Sequence, residues 1–160
     1  MTGVSRPQRR GRSIAMTAEE LDAFLAEQRT CRVASVGADG APHVTPLWFV
    51  WHDGHIWFSS LVRSQRWTDL ERDPRVAIIV DAGHDYGELR GVELRGRVVP
   101  VGDVPRGDAH VPELAEPERL LSRKYWNTDT FKVDGRHAWL RVDADKVVSW
   151  DFRKSTAPHP

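Results

Sequence analysis

The spacing of apolar residues changes several times along the chain, and each change marks an element. Residues 1–15 (MTGVSRPQRRGRSIA) hold only Met1, Val4, Ile14 and Ala15 as apolar candidates, at no regular period. They read as a disordered basic arm that buries too little to offset its ordering entropy. From Thr17 onward Leu21, Phe24 and Leu25 recur at helical spacing, and Thr17 followed by Glu20 makes a capping box, so a short amphipathic helix is predicted over 17–28. The period then falls to that of strands. Residues 30–36 (TCRVASV), 42–51 (PHVTPLWFVW) and 55–59 (HIWFS) are rich in β-branched and aromatic types. The pairs Asp39-Gly40 and Asp53-Gly54 between them supply the positive φ of tight hairpins, which predicts a meander of two consecutive hairpins.

Residues 64–72 (SQRWTDLER) read as a second helix with Ser64 as its N-cap, ended by Asp73-Pro74. A buried strand follows over 75–81. In 92–99 the apolar Val92, Leu94 and Val98 alternate with Glu93, Arg95 and Arg97, the pattern of a strand with one face in water. The proline- and acid-bearing stretch 103–117 reads as a loop, and 118–126 (ERLLSRKYW) as a helix. Two last strands are predicted over 136–143 and 146–152, turning at Asp143-Ala144-Asp145. Six or seven antiparallel strands with few helices and no βαβ rhythm indicate a β-barrel or sandwich with helices at its ends. The domain is placed over 16–154, between the arm and a disordered tail at 155–160.

Composition narrows the function classes. The 160 residues carry 23 basic and 23 acidic side chains, so the chain lacks the bulk positive field of a nucleic-acid binder. Only the arm is unbalanced, with Arg6, Arg9, Arg10 and Arg12 and no acid. The single cysteine, Cys31, permits no internal disulfide and sits in an apolar strand, where it reads as a small buried hydrophobe. No leader-like segment or membrane-length apolar run occurs, and a soluble, cytoplasmic protein with no membrane partner is expected. The seven histidines show no metal-ligand spacing, so no metal is expected. Seven tryptophans exceed what a core of this size needs, and some are expected to line a flat pocket or an interface.

The most informative chemistry lies in Phe58 to Trp67 (FSSLVRSQRW), where a strand ends in hydroxyls and a helix begins among arginines. The free N–H groups and positive dipole of a helix start favour an anion, Ser60 and Ser64 can donate hydroxyls, and Arg63 or Arg66 can add charge. The same residues also describe a capped helix with solvated arginines.

The order CRVASVGADGAPHVTPLWFVWHDGHIWFSS, RSQRWTDLERDPRVAIIV and GVELRGRVVPV resembles the pyridoxamine 5′-phosphate oxidase-like superfamily over roughly residues 17–152. That resemblance implies an antiparallel split β-barrel of Greek-key type with peripheral helices, binding FMN or the deazaflavin coenzyme F-420. It implies a cofactor phosphate at Ser59, Ser60, Ser64, Gln65 and Arg66, with Arg66 where a lysine is usual. It also implies that the strand holding His43, Val44, Thr45, Pro46, Leu47 and Trp48 runs beside the flavin ring. Pro46 agrees, because it deletes a ladder donor and marks an edge or bulge. Two features depart from the FMN-dependent oxidases themselves. Val44 stands where they carry a phosphate-binding arginine, and nothing after Trp150-Asp151-Phe152 corresponds to their substrate-binding extension. The expected protein is therefore a homodimeric oxidoreductase passing hydride from reduced F-420, or from FMN, to a planar conjugated small molecule. An FMN-dependent oxidase and a cofactor-binding protein without turnover are the alternatives. No side chain is expected to act as a nucleophile.

Overall fold

The computed structural model describes residues 7–9 and 11–157. Arg6 and Arg10 of the basic arm, and 158–160 of the expected tail with His159, lie outside the described residues. The first helix, α1 (Ala18–Glu27), starts as its sequence dictates: Thr17 Oγ1 accepts from Glu20 N–H at 3.2 Å and Glu20 Oε2 accepts from Thr17 N–H at 2.8 Å. It buries Phe24 and Leu25. Seven strands follow, β1 (Thr30–Val36), β2 (Pro42–Trp48), β3 (Val50–His52), β4 (His55–Leu61), β5 (Arg75–Ala82), β6 (Arg90–Val101) and β7 (His137–Asp151), with α2 (Gln65–Arg72) and α3 (Ala115–Trp126) between them. All pairings are antiparallel, in the order β2-β1-β5-β6-β7-β4-β3. The chain is mainly β, a split barrel with peripheral helices.

Two sequence expectations are corrected. Residues 42–51 are two strands rather than one, and the expected meander is two hairpins at opposite ends of the sheet order. β2 and β3 are joined by Phe49 alone, so the sheet must curl until its ends meet. Phe49 is fully buried, and at this crossing its backbone is served from α3: the Tyr125 hydroxyl accepts from Phe49 N–H at 3.0 Å. The hydroxyl's single proton is within reach of the carbonyls of Phe49 (2.8 Å) and Arg29 (2.6 Å). A bulky apolar residue between two β-branched runs carries no local signal of such a switch.

The second correction concerns residues 143–145, which form no turn. β7 runs on for 15 residues through a bulge, with Gly96 opposite Ala144 and Arg95 opposite Lys146. Glycine is required there, because a Cβ at residue 96 would meet the Asp143 carbonyl oxygen at 2.0 Å. Asp-Ala-Asp lacks the Gly or Pro that a tight turn demands, and a bulge bends the strand without breaking it. α3 also begins earlier than the predicted 118, at Ala115 behind a short 3-10 turn at Pro112–Leu114. Pro112 and Pro117 are tolerated because first-turn N–H groups have no helical partner anyway.

The main core fills the barrel with Phe24, Leu25, Cys31, Val33, Phe49, Ile56, Phe58, Val92 and Leu94 among others. A smaller cluster under α3 gathers Val50, Trp57, Val101, Leu114, Leu121 and Trp139. In the described part of the arm, Gln8 clips the edge of β7, donating to the Ser149 carbonyl at 3.1 Å and accepting from Ser149 N–H at 3.0 Å. Among the described residues no helix is long and apolar enough to cross a membrane.

Candidate functional site

α2 is short because Ser64 starts it and Asp73-Pro74 stops it, and it buries Arg66, Trp67, Asp69 and Leu70. Ser64 Oγ accepts from Trp67 N–H at 3.1 Å and donates to the Leu61 carbonyl at 2.8 Å, which fixes the end of β4 against the helix start. Arg66 therefore turns inward, where it is only 8% exposed. Its Nη1 donates to Thr45 Oγ1 at 2.6 Å, and its Nη2 and Nε reach Ser60 Oγ at 3.0 and 3.3 Å. Ser60 Oγ in turn lies 3.4 Å from Ser64 Oγ. Burial pulls the guanidinium below its ordinary pKa, yet an arginine stays charged in any protein. Among the described residues no carboxylate pairs with it, so a buried cation is held by hydroxyls alone. That arrangement is costly without an anion.

Four expected site residues, Thr45, Ser60, Ser64 and Arg66, thus meet in one constellation. His43 and Gln65 gather instead around Asp69, a fully buried carboxylate that sequence reasoning missed. Gln65 Nε2 donates to Asp69 Oδ1 at 2.9 Å, Ser35 Oγ to Oδ2 at 3.4 Å, and His43 Nδ1 stands 3.6 Å from Oδ2. The signal available was spacing: Asp69 lies three residues after Arg66 and four after Gln65, on the same side of α2. Arg63 is exposed on the connecting turn with no side-chain partner among the described residues. Val44 points outward, 63% exposed.

Pro46, Leu47, Trp48 and Ser59 lie elsewhere, along a cleft of about 480 Å³ that Thr30, Leu121, Trp126, Phe131, Lys132, Asp134 and His137 complete. Its aromatic wall is ordered. Trp48 stacks on Tyr125 with centroids 4.3 Å apart and planes 14° from parallel, and meets Trp126 edge-on at 6.0 Å. Pro46 is on β2, an end strand of the sheet, as its missing donor requires. The contributions from 126–137 carried no periodic signal, because that segment enters β7 as irregular chain. The Arg66 constellation and a flat aromatic cleft thus share strands β2 and β4.

Sequence comparison places the chain in a family. The family model described as pyridoxamine 5′-phosphate oxidase matches residues 17–151. The chain belongs to the pyridoxamine 5′-phosphate oxidase family. Among solved members of this fold, a conserved hypothetical protein of Mycobacterium tuberculosis is 30% identical, with a TM-score of 0.79 over 97% of this chain and 96% of that one. An FAD-binding protein of Mycobacterium smegmatis superposes with a TM-score of 0.64 at 20% identity, covering 86% of this chain and 98% of its own. A protein described as an F420 reductase does so with a TM-score of 0.60 at 20% identity, covering 79% and 94%. No curated protein matches the sequence significantly. At these identities the last two share the fold.

Proposed function

We propose that this family member is an oxidoreductase that holds a flavin or deazaflavin cofactor by its phosphate at Arg66. The observation that carries the proposal is the buried guanidinium with hydroxyl partners only. A phosphate oxygen placed against Arg66, Thr45, Ser60 and Ser64 would supply the missing charge, and Arg63 on the adjoining turn would add a second cation. Among the described residues the Gln65 and Arg66 N–H groups at the start of α2 also lack partners, as an anion site needs. The ring is assigned to β2, along His43 to Trp48, beside the aromatic cleft. The bound cofactor supplies hydride chemistry, and the protein supplies position, exclusion of water and a flat surface for a planar conjugated acceptor.

Support for a flavin-type ligand comes from the family and from neighbours described as binding FAD or reducing F420. Val44, standing where the FMN-dependent oxidases carry a phosphate arginine, weakens the oxidase reading, and residues 147–152 (VVSWDF) resemble the F-420-using branch, so F-420 is favoured over FMN. The protein is further proposed to be a cytoplasmic homodimer, since Val44, Trp48, Leu61 and Trp126 leave large apolar side chains in the open; sedimentation should give twice the chain mass. The deciding experiment titrates the purified protein with FMN and with F-420 by absorbance, then supplies the reduced form with quinone and enone acceptors. Saturable binding with turnover is expected. Binding of neither cofactor overturns the proposal, and binding without turnover on any acceptor reduces it to cofactor carriage.

A further inference from the structure

The cleft contains a hydrogen-bonded pair that the phosphate cluster does not use. His137 Nδ1 lies 2.6 Å from Asp134 Oδ2, at the point where the irregular segment enters β7. Asp134 is itself held rigidly, its Oδ1 accepting from the backbone N–H groups of Arg136 at 2.9 Å and His137 at 3.0 Å. Burial works to raise this carboxyl, but the two backbone donors and the imidazole outweigh it and bring it down to about 2. It is ionised at every physiological pH. A fixed carboxylate on Nδ1 sets the imidazole's tautomer and orientation and leaves Nε2 for chemistry. Nε2 has no partner among the described residues, and the ring lines the cleft together with Ser59, Trp48, Trp126 and Phe131. Of the other charged groups nearby, Lys132 lines the same cleft and Arg136 Nη2 lies 3.7 Å from Asp134 Oδ2.

We propose that His137, positioned by Asp134, is the proton donor of the cleft, and that the acceptor is a conjugated carbonyl compound, an enone or a quinone, whose oxygen sits on Nε2. This rests on the oxidoreductase reading above. As hydride from the reduced flavin or deazaflavin adds to the acceptor's carbon, the π electrons move to its oxygen. The Nε2–H bond of the imidazolium breaks and an O–H bond forms. The acceptor thus gains two electrons and one hydrogen nucleus with the hydride and one proton from His137, the cofactor is left oxidised, and His137 recovers its proton from solvent. Asp134 stays anionic throughout, stabilising the imidazolium before transfer. Protons placed at the site of developing charge accelerate such steps by about 10²–10⁴.

The test needs no cofactor. 4-Nitrophenol is flat, ionises near neutral pH and absorbs differently as phenol and phenolate. Added to the wild-type protein at pH 6, it should bind with a rise in the phenolate band, because an imidazolium Nε2–H donating to the oxygen favours the phenolate, whose proton leaves to solvent. His137→Gln should bind the probe without that rise, and Asp134→Asn should show a rise at least threefold smaller, as the tautomer is no longer fixed. Lys132→Ala should retain it. Loss of the band in Lys132→Ala with retention in His137→Gln would overturn the proposal, as would a wild-type spectrum unchanged on saturation. Turnover with a quinone should fall at least a hundredfold in His137→Gln while its affinity for FMN or F-420 is unchanged. If neither cofactor binds the wild type but the His137-dependent band appears, the oxidoreductase reading fails and the dyad stands as an acid–base site. If a cofactor binds and no band appears, the dyad proposal alone fails.

Discussion

Replacing Arg66 by methionine should separate binding from stability. Methionine keeps length and apolar bulk while removing charge. In the cofactor-free protein Arg66 donates three hydrogen bonds, to Thr45 and Ser60, each worth about 1 kcal/mol net. Opposing them is the desolvation of a guanidinium with no carboxylate beside it, an effective cost of several kcal/mol in a dry site. The two nearly cancel, so Arg66→Met should change the stability of the cofactor-free protein by no more than about 1 kcal/mol in either direction. With a phosphate present the balance differs, because the charge-assisted contact is then made. Its loss should cost about 1.5–3 kcal/mol, a ten- to hundredfold weaker Kd.

The same numbers predict a thermal signature. At a cofactor concentration of about a hundred times the wild-type Kd, binding stabilises the protein by about 2.7 kcal/mol. A variant binding about thirtyfold more weakly gains only about 0.9 kcal/mol at that concentration. The cofactor-induced rise in Tm should therefore be smaller in Arg66→Met by about 4–7 °C for a chain of this size. Paired melts with and without FMN or F-420, beside direct titrations, read both quantities. An unchanged affinity would refute the assignment and move the phosphate to Arg63. A cofactor-free variant destabilised by several kcal/mol would show instead that Arg66 is a structural strut whose hydroxyl partners suffice.

Three other outcomes follow from the fold. Gly96→Ala should destabilise by about 2–3 kcal/mol, lowering Tm by about 5–10 °C, since its Cβ would overlap the Asp143 carbonyl; a neutral result would mean that β7 has no bulge there. Burial pushes the Cys31 thiol up to about 12, so iodoacetamide should leave it unmodified in the native protein at pH 8 and react once it is unfolded. Burial over the Phe49 ring pulls Lys124 down from 10.5 to about 8. Below pH 8 the amine is charged in both states and bears its full desolvation cost; between about 8 and 10.4 only the unfolded chain holds the proton, so this residue's contribution improves as pH rises. Lys124→Met should accordingly gain on the order of 1 kcal/mol near pH 7, after discounting for solvent screening, and the gain should vanish in melts near pH 10.5.

Much of the fold was legible because its signals are local. The capping box at Thr17 and Glu20, the Ser64 cap and the Asp-Gly hairpins each act within a few residues, and each appears where the sequence places it. The misread places depend on distant partners. Nothing within 42–51 announces that Phe49 passes from one end of the sheet to the other, because the hydroxyl that makes the crossing tolerable comes from Tyr125, 76 residues away. The uninterrupted β7 depends in the same way on Gly96 across the ladder. The site divides likewise. Ser60, Ser64 and Arg66 could be grouped from one short segment and meet as grouped, while Asp69 captures Gln65 and His43, and the cleft's far wall comes from a segment without periodicity.

The crossing at Phe49 also explains why the Arg66 constellation and the cleft lie side by side. Because one residue separates β2 from β3, the end of β2 is held rigidly by Tyr125, whose hydroxyl serves the Phe49 backbone and whose ring stacks on Trp48. Upstream on the same strand, Thr45 is bonded to Arg66. α2 and α3 thus grip β2 three residues apart, one through a guanidinium, the other through a phenol. Neighbouring side chains on a strand point to opposite faces, so on the proposed reading Thr45 would serve a charged ligand group while Pro46 and Trp48, on the other face, would present an apolar surface to a flat one. A single strand fixed at both points would orient the two halves of the proposed amphipathic ligand relative to each other. Loosening the Tyr125 tie, by Tyr125→Phe, would leave the Phe49 N–H without its acceptor and Trp48 without a fixed stacking partner, while the Arg66 contacts are untouched. If the proposed cofactor binds as assigned, its phosphate end and ring end should therefore be separable by mutation although one strand carries both.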